Sequence, residues 1–144
     1  MRYLLKNILI DTGPIVALLN RRDKHHKRVL AFTQNYSGKF ITTWSVITEA
    51  THLLRHSIQA QLNLLEWIRR GGIEIVQIEK NDIERMLTLT KKYSDLPMNL
   101  VDCSLIIVAE KLDIKELISI DSDYDVYRTL KKEALTNLLH DYPL

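Results

Sequence analysis

One cysteine, Cys103, stands among 144 residues, which excludes an intramolecular disulfide and any cysteine-clustered zinc site and fits a reducing interior. Prolines number three and glycines four, so no Gly/Ser/Pro-rich linker divides the chain. Internal repeats and low-complexity segments are absent too. No apolar run approaches the roughly 20 residues of a spanning helix. The segment Met1 to Lys6 is too short and too charged for a signal peptide. With 46% hydrophobic residues, the expectation is one soluble, cytoplasmic domain over residues 1–144.

Charge is unevenly spread. Residues 1–72 hold 11 Lys/Arg against 4 Asp/Glu, and residues 73–144 hold 9 against 14. The basic excess peaks at Arg21-Arg22-Asp23-Lys24-His25-His26-Lys27-Arg28, with five cations and two histidines in eight residues. Most such runs are solvated helix ends. Beside a phosphate-cleaving site, Arg21, Arg22, Lys24, Lys27 and Arg28 become candidates for RNA contact.

Apolar spacing alternates between two periods. Ile8 to Asp11 reads as a short buried strand, and Thr12-Gly13-Pro14 turns it into a helix with Pro14 near its start. His25 to Tyr36 reads as helix, and Lys39 to Thr43 as a strand ending at the cap candidates Thr43 and Ser45. Val46, Ile47, Ala50, Leu53 and Leu54, then Ile58, Leu62, Leu65 and Ile68, recur at helical spacing up to Gly71-Gly72. Ile73 to Ile78 alternates like a strand, Asp82 to Tyr93 is helical, and Leu100 to Leu112 is an apolar helix behind the cap candidate Asn99. Leu117 to Ile120 reads as strand, Asp123 to Lys132 as a short helix, and Thr136 to His140 as a last strand. Alternation of this kind specifies a mostly parallel sheet covered on both faces, with ligands at the carboxyl ends of its strands.

Four acids sit where an apolar run ends or a helix begins: Asp11, Glu49, Asp102 and Asp121. Each has a bland reading. Asp11 suits an Asx turn, Glu49 favours a helix dipole, Asp102 falls where a capping-box acid stands after Asn99, and Asp121 can cap a following turn. The functional reading is joint. Two carboxylates about 5 Å apart repel by roughly 3 kcal/mol at an effective dielectric near 20, so four at one sheet edge require a cation. Hard oxygen donors without a His/Cys cluster select Mg²⁺ or Mn²⁺, which take substrate phosphate as a further ligand.

These residues resemble the PIN-domain ribonucleases, and most of all the VapC-like toxins of toxin-antitoxin pairs. The resemblance rests on LIDTGPIVALLN (Leu9 to Asn20), Val46-Ile47-Thr48-Glu49-Ala50, YSDLPMNLVDCSLIIVAEKL (Tyr93 to Leu112) and ISIDSDYDVYR (Ile118 to Arg128). It implies a three-layer α/β sandwich with a mostly parallel sheet of four or five strands. It further implies an acidic site of Asp11, Glu49, Asp102 and Asp121, with Asp123 contributing through water and the hydroxyls of Thr12 and Ser119 in support. The chain departs from the family pattern at Asn99, where many relatives carry another acid, and at Cys103, where Ala is common.

The implied chemistry is Mg²⁺- or Mn²⁺-dependent hydrolysis of RNA to 5′-phosphate and 3′-hydroxyl ends, without a protein nucleophile. A cognate antitoxin and a homodimer are the implied partners, and Tyr124 and Arg128 are candidates for RNA contact beside Asp121. Two other readings stay open: a PIN nuclease that processes RNA without an antitoxin, and a catalytically silent domain that binds RNA or protein. A rival scheme uses His25, His26, His52, His56 or His140 as general acid or base.

Overall fold

The computed structural model describes residues 6–140 and residue 142. Residues 1–5, most of the segment read as too short and too charged for a signal peptide, lie outside the described residues. Among the described residues, five short strands make one sheet: β1 (Ile8–Ile10), β2 (Phe40–Thr42), β3 (Ile73–Ile75), β4 (Glu116–Ile118) and β5 (Thr136–Asn137). Its order is β3-β2-β1-β4-β5 and every pairing is parallel. All three residues of β1 and of β2 are buried, because a central parallel strand is covered on both faces and leaves no polar alternation.

Six helices connect the strands: α1 (Thr12–Leu19), α2 (His26–Asn35), α3 (Trp44–Leu53), α4 (Ile58–Arg69), α5 (Ile83–Lys92) and α6 (Leu100–Leu112). From β1 through β2 to β3 the chain steps one way across the sheet, and from β3 to β4 it returns past two strands. Right-handed crossovers therefore put α1 to α4 on one face and α5 and α6 on the other. α1 packs on α2, α3 and α4, and α5 packs on α6, as that handedness requires. α6 is the most enclosed helix, buried without interruption from Val101 to Ala109. The two sets of helices meet at the carboxyl edge, where the Thr43 and Ser104 hydroxyls hydrogen-bond at 2.7 Å.

The strand order reverses between β1 and β4. Leu9 pairs with Leu117 and Ile10 with Ile118, so the next residues along, Asp11 and Ser119, emerge side by side. Crevices at such switch points are where open parallel sheets receive ligands.

Several elements differ from the sequence expectation. Thr43, not Ser45, caps α3 by accepting from the Val46 amide. The segment from Asp123 to Lys132 is not a helix: only Ser122–Asp125 forms a 3-10 turn, after which Lys132 takes a left-handed φ of 63° in a turn closed by Thr129 and Glu133. β4 stops at Ile118 because the Ser119 amide donates to the Asn137 side chain instead of continuing the ladder. β3 ends at Ile75, three residues before the expected boundary, although the Val76 amide still reaches the Thr42 carbonyl.

Most of the stripe on α4 points outward, with Ile68 packing against the core. Ile58, Leu62 and Leu65 are 67%, 52% and 48% exposed, while the small Ala60 and Leu64 make the buried seam. Helical periodicity was legible there, but it marks a surface rather than the core.

Candidate active site

Asp11 follows the last residue of β1 and is only 6% exposed. Its amide donates to the Ile118 carbonyl at 3.1 Å, which locks the end of β1 against β4. Asp11 Oδ2 accepts a hydrogen bond from Ser119 Oγ at 2.9 Å. Burial raises the Asp11 carboxyl to about 7, the Thr12 amide and Ser119 hydroxyl oppose that rise, and the charges of Asp102 and Glu49 add to it. Ser119 is itself clasped by Asn137, whose side chain accepts from the Ser119 amide at 3.2 Å and donates to its carbonyl at 2.8 Å.

Asp102 lies in the first turn of α6, whose start is fixed by Asn99 accepting from the Asp102 amide at 3.0 Å. Its carboxylate is turned toward the sheet edge, where Tyr124 donates to Oδ1 at 3.2 Å and Tyr127 to Oδ2 at 2.9 Å. Burial pushes the Asp102 carboxyl up, the two phenols pull it down, and the charges of Asp121 and Asp123 push it up again. Asp123 is raised as well, by burial and by Asp121. Asp121 is exposed and caps the 3-10 turn by accepting from the Asp123 amide at 2.9 Å. Glu49 is half-buried on α3.

The five acids thus form one electrostatic set drawn from β1, α3, α6 and the turn after β4. None of them makes an ion pair among the described residues, although Glu66, Glu74, Asp82, Glu110, Asp113 and Glu116 all do. Beside Asp11, Thr12 Oγ1 is the one buried side-chain nitrogen or oxygen among the described residues with no hydrogen-bond partner. As the side chains stand, no three His, Cys, Asp or Glu residues among those described close into a chelating cluster. An all-oxygen set with uncompensated negative charge and an unpartnered hydroxyl nonetheless suits a hard divalent cation. Mg²⁺ in particular is held by one or two carboxylates plus waters and substrate phosphate rather than by a closed protein cage.

The candidate RNA contacts divide. Arg21, Arg22, Lys24 and Lys27 are exposed. They follow α1, and at about 1.5 Å per residue that helix carries the chain roughly 12 Å from Asp11. Arg28 is directed elsewhere: its guanidinium donates to the carbonyls of Leu139, His140 and Tyr142 and fastens the last segment to α2. Arg128 likewise donates to the carbonyls of Asp125 and Tyr127, its own loop. Tyr124 is fully buried under Asp102 and is not an RNA-facing platform. Three of the histidines have partners of their own: His26 bonds the Ala17 carbonyl at 2.8 Å, His52, three residues after Glu49 on α3, faces Arg55, and His140 lies 3.9 Å from Asp125.

Two contributors escaped sequence reasoning. Tyr127 and Asn137 contact acids or their supports only because the chain after β4 folds back. The spacing of Tyr124 and Tyr127, three residues apart on a tight turn, was the available signal.

A PIN domain sequence profile matches residues 8–130. Comparison with curated proteins gives no match. Among solved structures, the chain is similar to Mycobacterium tuberculosis VapC20, described as a sarcin-ricin loop cleaving toxin, with TM-score 0.74 and 19% identity over 83% of this chain and 93% of that one. It is also similar to VapBC2 from Rickettsia felis, solved bound to a DNA fragment from their promoter, with TM-score 0.61 and 12% identity over 92% and 98% of the two chains. Identities this low speak for the fold alone, but the profile spans most of the sequence, and the chain belongs to the PIN-domain family.

Proposed function

We propose that this protein is a Mg²⁺- or Mn²⁺-dependent endoribonuclease, the toxin of a VapBC-type pair, acting in the cytoplasm. The observation that carries the reading is the set of unpaired acids at the switch point of a PIN fold, with Asp11 raised to about 7 by burial and by its neighbours. Such a site is costly to the folded chain unless a cation and a phosphate enter it.

In this reading Asp11, Glu49 and Asp102 hold the ion, Asp121 takes a second ion or orients water, and Asp123 contributes through water. The cation supplies positive charge that polarises the phosphodiester and activates water toward it. Ser119 sets the rotamer of Asp11, and the capped start of α6 sets the height of Asp102. In this reading water, rather than a side chain or the RNA 2′ hydroxyl, would attack phosphorus and the 3′ oxygen would leave, so products would carry 5′ phosphates and 3′ hydroxyls.

VapC20 and VapBC2 as structural neighbours support the toxin assignment and an antitoxin partner. The outward apolar row Ile58, Leu62 and Leu65 offers a surface for a second copy or for that partner. The decisive experiment is cleavage of total RNA by antitoxin-free protein in Mg²⁺ or Mn²⁺, with EDTA and Asp11→Asn as controls. Metal-dependent cleavage leaving 5′ phosphates, lost in both controls, is expected. Folded, cation-loaded protein that cuts no RNA would remove the nuclease reading. Growth arrest on induced expression, relieved by the product of an adjacent small gene, is expected of a toxin and not of a processing enzyme.

A further inference from the structure

Both oxygens of Asp102 receive a phenol. Tyr127 donates to one at 2.9 Å and Tyr124 to the other at 3.2 Å, and neither ring is measurably exposed beyond 1%. Tyrosines buried in a core usually find one hydrogen-bond partner for the phenol. Here two of them, three residues apart on the turn that begins at Ser122, converge on one carboxylate with no cationic partner among the described residues.

The phenols are held firmly. The Tyr127 ring sits edge-on to Tyr93 at 5.0 Å between centroids and edge-on to Tyr124 at 5.5 Å. Tyr93 in turn accepts from the Arg128 amide at 2.8 Å, so the three rings and the loop backbone form one packed unit. A carboxylate has about four lone-pair sites, and one donor on each oxygen leaves both oxygens able to ligate. Two donors also fix the plane of the carboxylate, which a single donor would leave free to rotate.

We infer that Tyr124 and Tyr127 are positioning residues that hold the Asp102 carboxylate in the orientation from which it ligates a divalent cation. The inference rests on the cation site proposed above. Hydroxyls that bond a ligating carboxylate typically alter metal affinity 10–100-fold when removed. Phenylalanine keeps the aromatic packing and deletes only the donor, so a stability effect and a ligand effect can be separated.

The test is Mn²⁺ titration by calorimetry of the wild-type protein, Tyr124→Phe, Tyr127→Phe and the double variant, with thermal unfolding in EDTA beside each. Affinity is expected to fall about 10-fold in the stronger single variant and further in the double. Ultraviolet difference spectra supply a second readout: Mg²⁺ is expected to shift the tyrosine band of the wild-type protein, and the shift to shrink in Tyr127→Phe. Folded single variants that bind Mn²⁺ as the wild type does would overturn the inference and leave the nuclease reading standing. Wild-type protein that binds no divalent cation would overturn both.

Discussion

Asp11 is the residue on which the cost of the site falls. Its folded-state carboxyl titrates near 7, against an ordinary aspartate value of about 3.9 in an unfolded chain. Between those values the folded state binds the extra proton, so without cation the stability contributed by protonated Asp11 is full below about pH 4 and is lost as pH rises toward 7. The slope is at most about 1.4 kcal/mol per pH unit across that window. Urea denaturation in EDTA at pH 4.5, 5.5 and 6.5 is expected to show it, and Mg²⁺ to flatten it. Asp11→Asn is expected to raise cation-free stability at pH 7 while abolishing cleavage; a variant less stable than wild type at that pH would contradict the charge argument. The sequence singled out the same residue because it ends an apolar strand, although an Asx turn would account for it equally well. Tyr127 was not, because its role exists only through a turn that periodicity cannot describe.

At the scale of elements, the smallest strand has a large local effect. β5 contributes two residues, yet Asn137 makes three hydrogen bonds, to the amide and carbonyl of Ser119 and to the Leu139 amide at 3.1 Å. Asn137→Ala leaves buried polar groups of Ser119 unpaired, and a loss of about 2–4 kcal/mol is expected in denaturant titration. Because Ser119 holds Asp11, Mn²⁺ affinity is expected to fall in the same variant even under conditions where it remains folded. A variant with unaltered stability and affinity would show that water replaces the amide. The strands and helices were largely legible, since β1, β2 and α6 are apolar throughout or cleanly capped. The outward stripe of α4 and the turn after Asp121 were misplaced for opposite reasons. In the first, apolar spacing revealed a helix but not which side faces the core; in the second, helix-compatible residues were pulled into a tight turn by the bonds of Tyr124 and Tyr127 to Asp102.

Over the whole molecule, the basic half supplies the two strands β1 and β2, and the more acidic half supplies β3, β4 and β5 on either side of them. RNA binding is expected to weaken with salt, and replacement of Arg21, Arg22, Lys24 and Lys27 by Gln to reduce the log–log slope by up to about 3 if all four meet phosphates of a single strand. Arg28→Ala is expected to leave that slope unchanged and to cost about 1–3 kcal/mol of stability, since its guanidinium holds three carbonyls of the closing segment. Filter binding across a salt series separates the two outcomes; a slope altered by Arg28→Ala would return that residue to the RNA-facing set. Among the described residues no helix is long and apolar enough to cross a membrane.

The hydrogen bond between Ser119 and Asp11 spans 108 positions of sequence. Protein synthesis delivers the amino-terminal half seconds before the rest, at about 5–20 residues per second. Throughout that interval Asp11 and Glu49 have already left the ribosome, while Asp102, Ser119, Tyr127 and Asn137 have not. A nascent or prematurely terminated chain therefore carries two of the acids without the means to assemble them into one site.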